Sequence, residues 1–239
     1  MMPNALESET SDTELEKIPF SPESVEELSS KLGEFGILDK VSVDTDGSPI
    51  MWDEFKLKKL FDDFSQGERE FYVVDYEDPS GEHFSRLETF QTSIRAFVYH
   101  TDPITGVTYK LVQYRATEKT HADGVVETTT PIRKKVDSSM SGKVIKGSDE
   151  DETLLKEMQE EIGVDSSQYS ILSKSPATTE SSFSVGYPGL YTRFNFSSYT
   201  ININPDSVKE EYIERGKTII SESTGDTETP LNIFRWEKV

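Results

Sequence analysis

The chain contains no cysteine. Disulfides, thiolate metal sites and cysteine nucleophiles are therefore excluded, and the redox compartment is left unmarked. Basic side chains are scarce: 25 Lys and Arg stand against 45 Asp and Glu, for a net charge of −20 over 239 residues. A field of that sign repels phosphate backbones and anionic lipid, so neither nucleic acid nor membrane is expected as a partner. It does attract divalent cations. The three histidines, His83, His100 and His121, are scattered without ligand spacing and read as surface or strand residues. No apolar run approaches the roughly eighteen residues that a membrane span needs. The stretch MMPNALESETSDTELEK is acidic, and lacks both the apolar core of a secretory signal and the arginines of a transit peptide. The expectation is a soluble, cytoplasmic protein. Serines are plentiful, but no G-x-S-x-G elbow occurs, which argues against a serine hydrolase.

Apolar residues make up only 33% of the chain, so part of it should be very exposed or unfolded. Residues 1–20, rich in Glu, Ser and Thr, are expected to be a disordered acidic tail. Residues 21–67 are expected to form a helical N-terminal extension. Ser21 offers a cap, and Val25, Leu28 and Leu32 recur at helical spacing. In a second helix Met51, Phe55, Leu57, Leu60, Phe61 and Phe64 can line one broad face, with Gly67 as its stop. From residue 70 the texture changes. EFYVVDY, HFSRLETFQ, SIRAFVYHT and VTYKLVQYRA alternate and are rich in aromatic and β-branched residues, with turn signals at DPSGE and DPITG. TEKTHADGVVETTTPIRKK reads as a long loop or a poorly alternating hairpin. YSILSKS, GLYTRFNFSSYTINI, KTIISES and LNIFRWEKV are further strand candidates, and VKEEYIERG is a candidate short helix. Strands around a central helix predict an α+β domain over 70–239, a mixed sheet packed between helices.

That central helix, expected from about Asp149 to Ile162, lies in the segment GKVIKGSDEDETLLKEMQEEIGV, residues 142–164. At about 100° per residue, Leu154, Leu155, Met158 and Ile162 share one arc, and Glu157, Glu160 and Glu161 share the next. Like charges at this spacing repel by roughly 0.2–0.5 kcal/mol per pair. Solvent or a bound cation can offset that cost. Carboxylates at i, i+3 and i+4 present several oxygens to a hard cation such as Mg²⁺, which keeps waters and takes substrate phosphate oxygens. GKVIKGS is not a phosphate loop: Ser148 stands where that motif requires lysine.

The segment resembles the box of the Nudix hydrolases, G-x5-E-x7-R-E-U-x-E-E-x-G-U with U a bulky apolar residue. Gly142, Glu157, Met158, Glu160, Glu161, Gly163 and Val164 match it without insertion. Ser148 and Lys156 depart from the pattern's first glutamate and its arginine. In the family those two clamp the loop to the helix, and lysine does not reproduce a bidentate guanidinium. Ser148 or Asp149 is a candidate helix cap instead, and Asp149 or Glu150 a candidate replacement for the missing carboxylate. The resemblance implies a Nudix-like fold and Mg²⁺-dependent hydrolysis, with Mn²⁺ as a substitute ion, of a nucleoside diphosphate linked to another moiety. ADP-ribose and nucleotide sugars are the substrate types it suggests. It implies that Glu157, Glu160 and Glu161 are catalytic and hold the metal, with the Gly142 carbonyl assisting. Arg95, Arg115 and Arg193 are candidate substrate-binding residues, each with the alternative of an ordinary sheet-edge arginine. Phe183 and Tyr187 are candidates for base stacking, against the alternative of core or loop packing. An additional acid from a distal loop is sought among Glu180, Glu210, Glu211 and Glu222. The expected partner is a small nucleotide-type substrate, and a homodimer is compatible with the family. The departures at Ser148 and Lys156 support a second reading, a catalytically weak or inactive module that binds a nucleotide or a partner protein.

Overall fold

The computed structural model describes residues 13–43, 47–134, 138–216, 218–220 and 227–239. The first elements are β1 (Thr13–Phe20), α1 (Val25–Glu34), β2 (Ser42–Val43), β3 (Pro49–Ile50), α2 (Glu54–Ser65), β4 (Glu70–Glu77), β5 (His83–Thr101) and β6 (Thr108–Thr120). There follow β7 (Val126–Thr128), β8 (Ile132–Arg133), β9 (Met140–Lys143), α3 (Glu150–Ile162), β10 (Tyr169–Lys174), β11 (Thr178–Phe183) and β12 (Tyr191–Ile203). The last strands are β13 (Glu211–Arg215), β14 (Ile219–Ile220) and β15 (Thr227–Lys238). Strands dominate, with three α-helices among the described residues, so the α+β expectation holds in this coarser form. No described helix is long and apolar enough to cross a membrane.

The chain divides into two compact units, Met1–Thr92 with Thr179–Asn195, and Ser93–Thr178 with Phe196–Val239. The boundaries fall inside β5 and inside β12.

In the first unit β1, β4 and the start of β5 form an antiparallel ladder. The expected disordered tail therefore ends early: residues 1–12 lie outside the described residues, and Thr13–Phe20 is a strand. Its side chains are exposed, so backbone pairing supplies most of its order. Phe20 packs edge-on against Phe71, Lys17 sits 3.3 Å from the Phe90 ring, and Glu14 pairs with Arg193 at 2.8 Å. Helix α1 is capped by Ser24, not Ser21, because only Ser24 has a glutamate three residues on; its side chain accepts from Glu27 N at 3.2 Å. The two helices share one core with the sheet. Leu28, Leu32 and Leu60 pack with Phe71, Leu87 and Leu190, so the segment expected as an extension joins residues far along the chain. The broad face foreseen for the second helix is narrower. Asp53 caps α2 and accepts from Lys56 N at 2.7 Å, which leaves Met51 before the helix and Phe55 on its solvent side, 76% exposed.

In the second unit β6 pairs antiparallel with β15, and β15 with β13. The later part of β5 pairs with β9 and the end of β12 with β10. Helix α3 buries Leu154, Met158 and Ile162 against Ile94, Leu111, Tyr199, Tyr212 and Phe234. Two of the strand candidates, HFSRLETFQ and SIRAFVYHT, are one continuous strand, β5. The polar stretch after β6 takes the hairpin alternative, turning at residues 121–125 before β7 and β8 return along β6. VKEEYIERG is not helical. Tyr212 is buried and Ile213 is not, the two-residue period of β13.

Burial separates two residues that share one apolar appearance in the sequence. Leu60→Ala should cost about 2–5 kcal/mol by leaving a cavity, whereas Phe55→Ala should stay within about 0.5 kcal/mol. Urea denaturation of the two variants checks this.

Candidate functional site

Helix α3 and the strand before it hold the site. Asp149 caps the helix, its Oδ1 accepting from Asp151 N at 2.6 Å. Glu150, Asp151 and Glu152 favour the positive end of the helix dipole. Gly163 ends the helix in the left-handed region at φ 65°, and Val164 N closes back on Met158 O at 3.1 Å. The core stripe is Leu154, Met158 and Ile162; Leu155, expected beside them, lies at the edge and is exposed.

Gly142 pairs with Ile94 in the β5–β9 ladder, under α3. A Cβ at this position would stand 2.5 Å from Glu157 Cγ and 2.7 Å from its Oε1. The glycine is therefore the seat of the Glu157 side chain, and any larger residue displaces it. One helical turn on, Glu161 is half-buried as a residue, yet its Oε2 is sealed from solvent and has no hydrogen-bond partner. Burial, then the neighbouring charges of Glu157 and Glu214, push the Glu161 carboxyl up to about 8; Lys134 opposes the shift.

The strip of three carboxylates does not stay together. Glu160 is exposed and lies 4.0 Å from Lys156, on the outer side of the helix. Among the described residues no three acidic or histidine side chains converge on a ready metal cage. What is present is an inner pair, Glu157 and Glu161, with Glu214 close enough to act on Glu161. An unpartnered carboxylate oxygen beside a second carboxylate is chemistry that a hard divalent cation satisfies, so this pair fits such an ion. Glu160 in its present orientation does not.

No family model matches the chain, and no curated protein matches it. Similar solved structures include hydrolases. C. elegans Ap4A hydrolase aligns at 19% identity over 49% of this chain and 72% of its own, with a TM-score of 0.26. The same enzyme as a binary complex gives 19%, 49%, 70% and 0.25. An ADP compounds hydrolase gives 12% identity over 59% of this chain and 63% of its own, with a TM-score of 0.26. At those values the likeness assigns neither family nor activity to this chain.

The remaining candidates separate by strand alternation and by unit. Arg95 neighbours Ile94 on β5 and so faces away from α3; its guanidinium lies 3.5 Å over the Phe196 ring. Arg193 lies in the first unit and is taken up by buried Glu88 at 2.7 Å, by Glu14 and by Tyr76. Arg115 is exposed on β6, opposite Asn232, on the face that carries Glu214. Within the second unit, Arg115 shares a face with Glu214 and Arg95 does not face α3. Tyr187 is buried and stacked on Trp52 at 5.7 Å; Phe183 is exposed against Tyr191. Both aromatics lie in the first unit, as does Glu180. Glu211 pairs with Arg235 at 3.0 Å on the far face of β13, Glu210 is exposed, and Glu222 lies outside the described residues.

Glu214, named by no sequence expectation, is close enough for its charge to act on Glu161. It lies in VKEEYIERG, whose expected form is a short helix, although the step of two from buried Tyr212 is a usable strand signal. Neither candidate for the missing carboxylate is left to clamp the loop. Asp149 is taken up as the helix cap, and Glu150 accepts from Ser197 at 3.1 Å and pairs with Lys174. Ser148 and Lys156 are both exposed.

Two outcomes follow from this packing. Gly142→Ala should destabilise by about 1–3 kcal/mol through overpacking. Combined with Glu157→Ala, much of that loss should vanish, leaving a coupling above about 0.5 kcal/mol in a double-mutant cycle. The second concerns pH. An unfolded Glu161 ionises near 4.5, while the folded one holds its proton to about 8, so this group withdraws stability as pH rises between them. Glu161→Gln cannot titrate, and its melting temperature should gain on the wild type from pH 5 to pH 8.

Proposed function

We propose that this chain is a divalent-cation-dependent pyrophosphohydrolase of the Nudix type, acting on a nucleoside diphosphate linked to another moiety. The observation that carries the reading is the sealed, unpartnered oxygen of Glu161 beside Glu157, which is itself seated on Gly142. A helix that only faced solvent would turn its carboxylates outward, as Glu160 does. Glu157 and Glu161 would hold the ion, Mg²⁺ by preference with Mn²⁺ as a substitute. Once bound, such an ion withdraws charge from pyrophosphate oxygens and lowers the pKa of water.

The chain's own groups do the rest. Burial of Glu161 strengthens its interaction with any cation because little water competes. Asn232 donates to Glu214 at 2.6 Å and fixes that carboxylate beside the pair. Arg115 supplies positive charge for a phosphate oxygen. In the reaction, water adds to one phosphorus, the bridging P–O bond breaks, and two phosphorylated products leave with the proton. ADP-ribose and nucleotide sugars are the proposed substrate types.

One observation favours a weaker enzyme or a binding module. Lys156 lies toward Glu160 and is exposed, so no basic side chain from that position clamps the loop at Ser148. Such a protein would hold a nucleotide or a partner protein with little turnover.

A panel of ADP-ribose, nucleotide sugars and dinucleoside polyphosphates, assayed with Mg²⁺, separates the readings. The expected result is metal-dependent turnover, with kcat at least about a hundredfold lower in Glu161→Gln. Nucleotide binding without turnover, unchanged by Glu161→Gln, would establish the binding module instead. If neither turnover nor binding occurs, both readings fall.

A further inference from the structure

Strand alternation carries the carboxylate face beyond helix α3. On β6, Gln113, Arg115 and Thr117 share one face; their partners across the ladder are Phe234, Asn232 and Pro230 on β15. Glu214 continues that face on β13, opposite Asn232. Helix α3 covers its inner end, where Tyr212 and Phe234 meet Met158 and Ile162. Further along, the strands open into a groove of about 460 Å³ lined by Arg115, Thr117, Thr129, Ile132, Pro230 and Asn232.

The groove is both built and joined to the site. Thr129 is locked to Thr117 by two hydrogen bonds: Thr129 N donates to Thr117 O at 2.9 Å, and Thr117 N to Thr129 Oγ1 at 2.8 Å. Asn232 reaches from the groove to Glu214 at 2.6 Å, and the charge of Glu214 reaches Glu161. Lys134, just after β8, bonds Gln113 and is close enough to Arg115, Glu161 and Glu214 to feel all three.

The walls differ in character. Arg115 is exposed, and among the described residues no ion pair holds its guanidinium. Ile132 is 73% exposed across the β6–β8 ladder from it. A lone exposed isoleucine is ordinary. Here it faces a groove with a guanidinium at its rim, in a chain whose −20 charge leaves few places for an anion. One cation matches one phosphate, and Ile132 with Pro230 offers apolar surface to a flat organic body.

We propose that this groove binds the organic moiety of a nucleoside diphosphate, with Arg115 on the adjoining phosphate and Ile132 and Pro230 against the nucleoside. The inference rests on the preceding reading of the carboxylates and names the part of the substrate that they do not touch.

Calorimetry on the full chain with Mg²⁺ compares ADP with inorganic pyrophosphate. The wild type should bind ADP at least tenfold more tightly. Ile132→Asp should erase that preference, Arg115→Gln should weaken ADP at least tenfold, and Glu161→Gln should preserve the preference. Both groove residues are exposed, so unchanged urea midpoints will show that the variants fold. Wild-type ADP affinity in both groove variants, no preference for ADP in the wild type, or no ADP binding would each overturn the groove. If hydrolysis persists in those cases, only the groove falls. If the preference holds while the wild type shows no metal-dependent turnover, only the hydrolase reading falls.

Discussion

A carboxylate oxygen shut away from water without a hydrogen-bond partner costs on the order of 1–3 kcal/mol, more when the group is charged. Glu161 carries such an oxygen, with Glu157 one turn away and Glu214 alongside. A fold can hold this arrangement only if the surrounding packing over-determines it. Leu154, Met158 and Ile162 do so from below, seated in a core shared with strands from both sides of the helix in the chain. The capping aspartate and the left-handed glycine fix where the helix begins and ends, and so which turn meets the sheet. The unpaired oxygen is thus held in place by apolar contacts that do not depend on it.

Gly142 links that helix to the sheet from the other side. Its missing side chain is the space in which Glu157 lies. The consequence is a division among three glutamates that look equivalent in sequence. Glu157 is drawn inward by the glycine seat and Glu161 by burial, while Glu160 turns to Lys156 and water. Charge within the site is then two-sided: the inner carboxylates on the helix, and Arg115 with Lys134 on the strand side. That polarity suits a ligand that brings both a cation and phosphate oxygens.

The first unit uses its buried charges differently. Glu88 has no exposed surface and is met by Arg86, Arg193 and Tyr76; Arg69 is met by Thr89 and Gln91. Partners surround Glu88, which therefore specifies packing; Arg69 keeps a buried Nε without a hydrogen-bond partner, 3.9 Å from Asp63. Arg193 has the composition of a binding residue and the surroundings of a structural one. Removing a member of such a cluster strands a buried charge, which costs far more than a surface pair returns.

Local chemistry made much of this legible beforehand. The apolar period of Leu154, Met158 and Ile162, the acidic first turn and Gly163 specify α3 within a residue, because capping and periodicity act over a few residues. Alternation marked most long strands, and Gly142 stood out by its spacing to the glutamates. Other features depended on partners distant in the chain. Thr13–Phe20 is a strand because β4 offers it an edge, and nothing in its own side chains required that. VKEEYIERG has a plausible helical period, yet pairing with β15 makes it extended and brings Glu214 to the site. The sequence by itself determined that three carboxylates would follow a glycine on one helix. Only the tertiary structure decided which two turn inward and which face Arg115 takes, because burial and strand pairing are set by residues that a local pattern never contacts.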